Sequence, residues 1–188
     1  MIVMERGQSI TGDGHASLIY APTLNTAVID GAAECSLRNF KILGDAGSII
    51  PGSKGIQFVG DPPGGDILSF PGRYNVDNVL CERLDHGLYF NWTGIGEHYG
   101  YNATACNYGI TISGDQCNGL SFFGGELHSC VRGVNYEASL STLVNFIGML
   151  MEGCSQHGIL MDGATQGIRN VNIFYCYFES NGIADIAT

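Results

Sequence analysis

Two carboxylates occupy the same place in two copies of a short repeated pattern. Glu137 follows Gly133 by four residues, and Asp162 follows Gly158 by four residues. If the two segments lie side by side as strands, the Cα atoms of these acids are about 5 Å apart. Glycoside hydrolysis uses two carboxylates, about 5 Å apart for retention of configuration and about 6.5 to 9.5 Å apart for inversion. The spacing therefore predicts Glu137 and Asp162 as a catalytic pair, with solvated surface acids or a calcium site as the alternatives.

The positions around this pair are polar in several copies of the pattern. Offsets of two and four residues from each repeat glycine should point outward, and they carry hydroxyl, amide and phenol groups that suit sugars. The predicted substrate-binding residues are Tyr89, Asn91, Trp92, Thr111, Ser113 and Asn135. Trp92 belongs to a predicted loop, residues 91–101, that also holds Glu97, His98 and two tyrosines. The alternative for this loop is that its aromatic side chains only cover the side of the protein.

The elements that position these residues are predicted from a repeat of the form Gly-apolar-x-apolar. After one longer first interval it recurs at near-constant spacing, beginning at Gly55, Gly87, Gly109, Gly133, Gly158 and Gly182, and Thr26–Ile29 is a less regular early copy. A second short apolar segment precedes each copy, so every period holds at least two short strands. Strand-length segments at such a period indicate a parallel β-helix. We predict an all-β solenoid with about 24 residues per coil and roughly seven coils, in which offsets one and three from the glycine point inward.

A second set of acids accompanies the segments that precede these copies. Glu82, Glu126, Glu152 and Glu179 follow one another at intervals of roughly two coils, one coil and one coil. Their distances to the next repeat glycine differ, so the sequence does not assign all four to one face.

Residues 1–188 are predicted to form a single β-helix domain, with residues 60–74 as a surface loop excursion. This stretch accounts for the one long interval, between Gly55 and Gly87, and holds three of the five prolines. The chain ends inside a repeat, which predicts a fragment of a longer protein or an end that a partner subunit covers.

Composition excludes several classes of function. Lys and Arg number 8 against 18 Asp and Glu, a net charge of −10, which excludes a nucleic-acid binder that neutralises phosphates. No apolar stretch reaches the length of a membrane span, and the first residues lack a signal peptide. The seven cysteines have no CxxC or Cys/His ligand spacing, so we expect buried free thiols, no metal site and no cofactor.

Two segments carry a resemblance to a known superfamily. Residues 2–14, IVMERGQSITGDG, and residues 35–44, CSLRNFKILG, are similar to strands of the pectate-lyase-like right-handed parallel β-helices, particularly those of bacteriophage tailspikes and polysaccharide depolymerases. Together with the repeat pattern, the resemblance to this superfamily covers most of the chain. It implies a single-stranded right-handed β-helix, a bacterial surface polysaccharide as partner, a homotrimer, and a place in a virion tail or outside the cell.

The catalytic motifs of the related enzymes are missing. His86-Gly87 and His157-Gly158 resemble only part of a polygalacturonase motif, so both histidines are predicted to be turn residues. The arginine-rich patterns of pectate lyases are also absent, which makes a lyase the less favoured enzyme. Three functions remain open: a tailspike-like β-helix that binds and hydrolyses polysaccharide, a non-catalytic structural or receptor-binding fibre segment, and a secreted bacterial polysaccharide-degrading enzyme.

Overall fold

The computed structural model describes residues 1–60, 72–114, 117–138, 143–162 and 170–188. These residues form strands and turns and no helix, so they contain no helix long and apolar enough to cross a membrane. The strands are β1 (Ile2–Val3), β2 (Ser9–Thr11), β3 (Leu18–Tyr20), β4 (Ala27–Gly31), β5 (Ser36–Leu43), β6 (Lys54–Val59), β7 (Tyr74–Glu82), β8 (His86–Asn91), β9 (Gly96–Tyr99), β10 (Asn102–Thr104), β11 (Tyr108–Ser113), β12 (Leu120–Phe123), β13 (Glu126–His128), β14 (Arg132–Tyr136), β15 (Val144–Ile147), β16 (Leu150–Glu152), β17 (His157–Met161), β18 (Val171–Phe174), β19 (Tyr177–Glu179) and β20 (Ala184–Ala187).

The strands stack as a parallel β-solenoid of about six turns with about 25 residues per turn, close to the prediction from the repeat. One sheet of eight strands, in the order β1-β4-β6-β8-β11-β14-β17-β20, forms the surface that we call face 1. Each of its strands pairs with a counterpart one turn later, so equivalent side chains form columns. One such column contains Ile56, Leu88, Ile110, Val134 and Ile159.

The second sheet bends along its length into two surfaces. Face 2 contains β2, β9, β12, β15, β18 and the first halves of β5 and β7, and face 3 contains β3, β10, β13, β16, β19 and the second halves of β5 and β7. From β5 onward, the bend between them, the 2–3 corner, has positive φ in each turn, at Asn39, Asn78, Gly100, Gly124 and its neighbour Gly125, Gly148 and Tyr175. This left-handed backbone turns the chain without breaking the ladder of hydrogen bonds, since Gly100, Gly124 and Gly148 each donate to the next turn.

Face 3 is joined to face 1 by the 3–1 corner, which from β7 onward is three or four residues long. It begins with another residue of positive φ in each turn: Arg83, Ala105, Ser129, Gly153 and Ser180. The next residue in three successive turns is Cys106, Cys130 or Cys154, and each thiol donates to a backbone carbonyl of the preceding turn at 3.7 to 3.8 Å. Asn181 takes the same place one turn later and donates to the carbonyl of Met151 at 3.1 Å. We call this series the thiol ladder.

Face 1 is joined to face 2 by the 1–2 corner, whose length varies most. In successive turns the connection between the two strands consists of residues 32–35, 60–73, 92–95, 114–119, 137–143 and 162–170. All the residues outside the described ranges lie in these connections, among them residues 61–71 of the predicted excursion 60–74. Tyr74, the last residue of that prediction, starts β7 and is buried in the core.

The close packing of successive turns explains why each repeat begins with a glycine. A Cβ on Gly109 would lie 2.7 Å from the carbonyl oxygen of Gly133, and a Cβ on Gly87 would lie 2.2 Å from Oη of Tyr101. The same clash with the next turn's carbonyl, at 2.5 to 2.7 Å, recurs at every glycine of the column, namely Gly55, Gly87, Gly109, Gly133 and Gly158. The predicted inward positions are confirmed, because the residues one and three places after the first four of these glycines are all buried.

Two predicted copies of the repeat are wrong in register. His157 pairs with Ala184 and Ile159 with Ile186, which places Asp185, and not Gly182, beside Gly158. At the other end Ala27 pairs with Lys54, so Val28 occupies the glycine position and the early copy is displaced by two residues. Both terminal turns therefore contain a residue with a side chain where the central turns require glycine.

Candidate functional site

Face 1 presents three outward columns in its central turns. The first contains Lys54, His86, Tyr108, Arg132 and His157, and the second contains Gln57, Tyr89, Thr111, Asn135 and Leu160. The third contains Asn91 and Ser113, which pair with each other, and continues into Glu137 and Asp162. Its last two members lie just beyond β14 and β17, where backbone hydrogen bonds from Glu137 to Ile112 and from Asp162 to Tyr136 extend the ladder.

The predicted catalytic pair is brought together by this third column. Glu137 and Asp162 are both exposed and hold equivalent positions in adjacent turns. A polar chain orients Glu137: Nη1 of Arg132 donates to Oδ1 of Asn135 at 2.7 Å, and Nδ2 of Asn135 donates to Oε1 of Glu137 at 2.7 Å. Arg132 also donates from Nε to Gln156 at 3.0 Å. Glu137 is thus held by an amide donor whose own orientation is fixed by a guanidinium.

Two of the six predicted binding residues have almost no accessible surface. Thr111 and Asn135 are each only 1% exposed, although both point outward. His86 contacts Thr111, with Nδ1 at 2.7 Å from Oγ1, and Arg132 engages Asn135. Their longer neighbours therefore cover them, and they act on the surface only through those neighbours. Tyr89, Asn91, Trp92 and Ser113 are half-buried and remain accessible.

His86 is the first residue of β8 and not a turn residue, and His157 likewise begins β17. The ring of His86 packs between Tyr89 and Tyr108, at centroid distances of 5.3 and 4.9 Å. Burial has the largest effect on the pKa of His86 and lowers it. The negative charge of Asp85 raises the pKa, the positive charge of Lys54 lowers it, and the negative charge of Glu137 raises it, each by less than burial does. The imidazole is therefore held neutral at ordinary pH within an aromatic cluster.

Cations lie over both tyrosines of this cluster. Nζ of Lys54 is 5.0 Å from the centre of the Tyr89 ring, and the guanidinium carbon of Arg132 is 5.7 Å from that of Tyr108. These distances are within the range of cation–π attraction. The surface thus combines aromatic rings, cations, amides and carboxylates within a few neighbouring strands.

The predicted loop at residues 91–101 contains a strand, so the prediction of one continuous loop is wrong. Gly96–Tyr99 form β9 within face 2, and Tyr101 is buried, where its hydroxyl donates to the carbonyl of Gly109 at 3.1 Å. His98 is fully buried, with neither ring nitrogen hydrogen-bonded, and stacks on Phe122 at 4.6 Å. Burial lowers its pKa to about 3. Among the predicted contacts of this segment, Asn91, Trp92, Glu97 and Tyr99 reach the surface, and His98 and Tyr101 do not.

The second set of glutamates divides between two columns of face 3. Glu82, Glu152 and Glu179 share a column with Thr104 and His128, whereas Glu126 lies in the neighbouring column with Asn102, Leu150 and Tyr177. Lys41 pairs with Glu82, Nζ to Oε2, at 2.5 Å. The pKa of the Tyr177 phenol is raised by its hydrogen bond to Glu179 and then by the charge of that carboxylate, with a smaller contribution from Glu152.

Sequence reasoning missed one cluster on this face. The ligand atoms of Glu126, His128 and Glu152 all lie within 4.8 Å of one another. The signal was present as a Glu-x-His pair followed by an acid one turn after the histidine, but its meaning depends on the register of face 3.

Comparison of the chain with protein-family models, with curated proteins and with solved structures found no match. Of the expectation that came with the resemblance, the structure supports the fold alone, a parallel β-solenoid of about six turns.

Proposed function

We propose that face 1 binds a bacterial surface polysaccharide and that Glu137 and Asp162 hydrolyse it, in a tailspike-like protein that acts on a virion tail or outside the cell. The observation that supports this most directly is the column that places the two carboxylates in adjacent turns next to accessible tyrosines. Sugars are recognised by stacking on aromatic rings together with a few oriented polar groups, and Tyr89, Tyr108, Asn91 and Ser113 supply these.

We propose different roles for the two acids, because their surroundings differ. The amide of Asn135 donates to Oε1 of Glu137 and so orients this carboxylate, which suits the base or nucleophile. Asp162 then takes the role of the general acid, which donates a proton to the departing glycosidic oxygen. A neutral polysaccharide fits best, because Lys54 and Arg132, the cations of this face, already lie over tyrosines.

The test is the release of reducing ends from a panel of bacterial capsular and O-antigen polysaccharides. We expect Glu137→Gln and Asp162→Asn each to lower cleavage by about 100-fold or more, as loss of a general acid or base does. Glu179→Gln, a matched acid on face 3, should leave cleavage unchanged. Unimpaired cleavage by both face 1 variants would disprove the proposed pair.

Binding is tested separately with Tyr89→Ala and Tyr108→Ala. Each should weaken glycan binding, measured by calorimetry, whereas Tyr20→Ala, an exposed tyrosine outside face 1, should not. If the unmodified chain binds a glycan and cleaves none, face 1 is a recognition surface and the hydrolytic part of the proposal fails.

A second candidate is a non-catalytic segment of a trimeric fibre, and a specific surface on face 2 favours it. Tyr99, Phe123, Ile147 and Phe174 form an outward column in successive turns, with the rings of Tyr99 and Phe123 stacked at 4.9 Å. Tyr99 is 40% exposed and Phe174 is 50% exposed. An apolar column of this length is typical of a surface that contacts another subunit.

The homotrimer is tested by sedimentation of the unmodified chain and of a Phe123→Ser, Ile147→Ser double variant. A trimer that the double variant dissociates, together with no cleavage of any glycan, would favour the structural function. A monomer in both cases would contradict it. A secreted bacterial enzyme, the third candidate, predicts cleavage by a monomer.

A further inference from the structure

The cluster of Glu126, His128 and Glu152 lies on face 3, a different surface from the one proposed to bind glycan. Glu126 and His128 are two residues apart on β13, so the pleat of the strand points both side chains outward. Glu152 pairs with His128 from the next turn. Two strands in register therefore bring two carboxylates and one imidazole to one point, with ligand atoms within 4.8 Å of one another.

The negative charge of this cluster is not balanced by neighbouring cations. Among the described residues, the Lys and Arg ion pairs involve Glu34 and Glu82, and none involves Glu126 or Glu152. The column neighbours are Asn102 and Thr104 on one side and Tyr177 and Glu179 on the other, none of which is basic. All three members are half-buried, which reduces the screening of their charges by water. The site therefore attracts a cation.

The mixture of ligand types indicates which cation. Calcium and magnesium prefer oxygen ligands throughout, whereas an imidazole with carboxylates suits zinc and its neighbours among the first-row metals. Zinc binds nitrogen and carboxylate oxygen at about 2.0 to 2.2 Å in a tetrahedral arrangement, so two ligand atoms of one ion are about 3.4 Å apart. The ligand atoms of the cluster lie within 4.8 Å of one another, so metal binding requires them to approach by no more than about 1.4 Å.

We propose that Glu126, His128 and Glu152 form a binding site for a divalent transition-metal ion of the zinc class. Three protein ligands leave at least one coordination position open for water or another oxygen ligand. The site differs from the calcium site considered for Glu137 and Asp162, because it lies on another face and contains a nitrogen ligand. It depends in no way on glycan binding or hydrolysis at face 1.

The test uses the full chain without a histidine tag. Titration with Zn²⁺ by calorimetry should show one ion bound per chain, and Co²⁺ in its place should give the visible absorption of a cobalt centre with a nitrogen ligand. His128→Ala, Glu126→Gln and Glu152→Gln should each weaken Zn²⁺ binding at least about 10-fold. Circular dichroism and thermal unfolding of each variant in the absence of metal establish that it is folded.

Two control variants distinguish this site from diffuse attraction to acidic residues. His15→Gln removes an exposed histidine elsewhere, and Glu179→Gln removes the next carboxylate of the same column. Both should bind Zn²⁺ nearly as well as the unmodified chain. The proposal fails if the unmodified chain binds no Zn²⁺, if the His128→Ala variant binds undiminished, or if Glu179→Gln weakens binding as much as His128→Ala does.

Discussion

The 3–1 corner and the 1–2 corner lie at opposite ends of the same strands and differ in almost every respect. From β7 onward the 3–1 corner is three or four residues long, always contains a residue of positive φ, and is secured by the thiol ladder. The 1–2 corner varies several-fold in length from turn to turn, and Glu137 and Asp162 are the first residues of two of its connections. The spacing of the turns is thus fixed at one corner, which leaves the other free to vary beside the candidate site.

The strongest test of this difference inserts Gly-Ser at each corner. Between Ser129 and Cys130 the insertion displaces the thiol from the carbonyl of Ala103 and shifts Gly133 out of the glycine column. We expect the unfolding temperature to fall by about 10 °C or more, corresponding to about 3 kcal/mol or more. The same insertion between Gly94 and Ile95 in the 1–2 corner, where Ile95 is 60% exposed, should cost less than about 1 kcal/mol, because lengthening an exposed connection adds little closure entropy. Equal losses at both sites, measured by thermal unfolding, would refute the distinction.

Glycines at two places in the turn should respond differently to a single methyl group. Gly109→Ala places Cβ 2.7 Å from a backbone oxygen of the next turn, which cannot move without shifting the stack. We expect a loss of about 3 kcal/mol in the free energy of unfolding. Gly124→Ala at the 2–3 corner meets nothing within 4 Å and costs only the strain of its φ of 63°, about 1 kcal/mol. Urea denaturation measures the loss in the free energy of unfolding for both variants. A smaller loss for Gly109→Ala than for Gly124→Ala would contradict the importance of the clash.

The buried imidazole of His98 predicts acid sensitivity. Its folded pKa of about 3 lies below the usual 6.5, so the unfolded chain binds this proton first and stability falls as the pH drops from 6.5 towards 3. The loss from this group is at most about 1.4 kcal/mol per pH unit. His98→Phe, which continues the stack of Phe122 and Phe146, should remove that part of the loss.

Urea denaturation at pH 7.0 and 5.0 measures the effect of His98→Phe. An unchanged difference between the two pH values would contradict the assignment. His86 has a lowered pKa as well and contributes in the same direction in both proteins, so some pH dependence should remain in the variant.

The smallest effect expected is a difference in reactivity between cysteines, which leaves the fold intact. The thiols of the ladder are buried, and burial raises the pKa of Cys154 to about 12, so a native chain should resist alkylation there. Cys176, which is only half-buried, should react first. Mass spectrometry after brief treatment with iodoacetamide checks this order, and denatured protein serves as the control in which all seven cysteines react. Early labelling of Cys106, Cys130 or Cys154 would show that the corner opens.

Much of the fold was predictable because packing inside the solenoid requires apolar residues at fixed positions of every turn. The alternation of apolar residues after Gly87 or Gly109 reports which side chains point inward, and the constant period reports their stacking. The last turn was predicted in the wrong register because Gly182 stands in an apolar context like the others. The pairing of Ala184 with His157 depends on the length of the corner, which the pattern of apolar residues does not report.

The candidate site was predictable in part for the same reason. Equal offsets brought Glu137 and Asp162 into one column, but offsets carry no information about which neighbours are long enough to cover a short side chain. Thr111 and Asn135 are buried because His86 and Arg132 reach over them. His98 was assigned to an aromatic loop because its segment has the composition of one, although its residues alternate between interior and surface as in a strand.

The register of the turns makes each one an exchangeable unit. Gly109 and Gly133 hold equivalent positions in adjacent turns, and each is followed by a buried aliphatic residue. Removing residues 110–133 would join Gly109 directly to Val134 and leave the glycine column, the thiol ladder and the inward columns continuous. A chain of this kind can gain or lose length by whole turns, and so a surface site on it can be moved, duplicated or deleted while the scaffold that carries it keeps its shape.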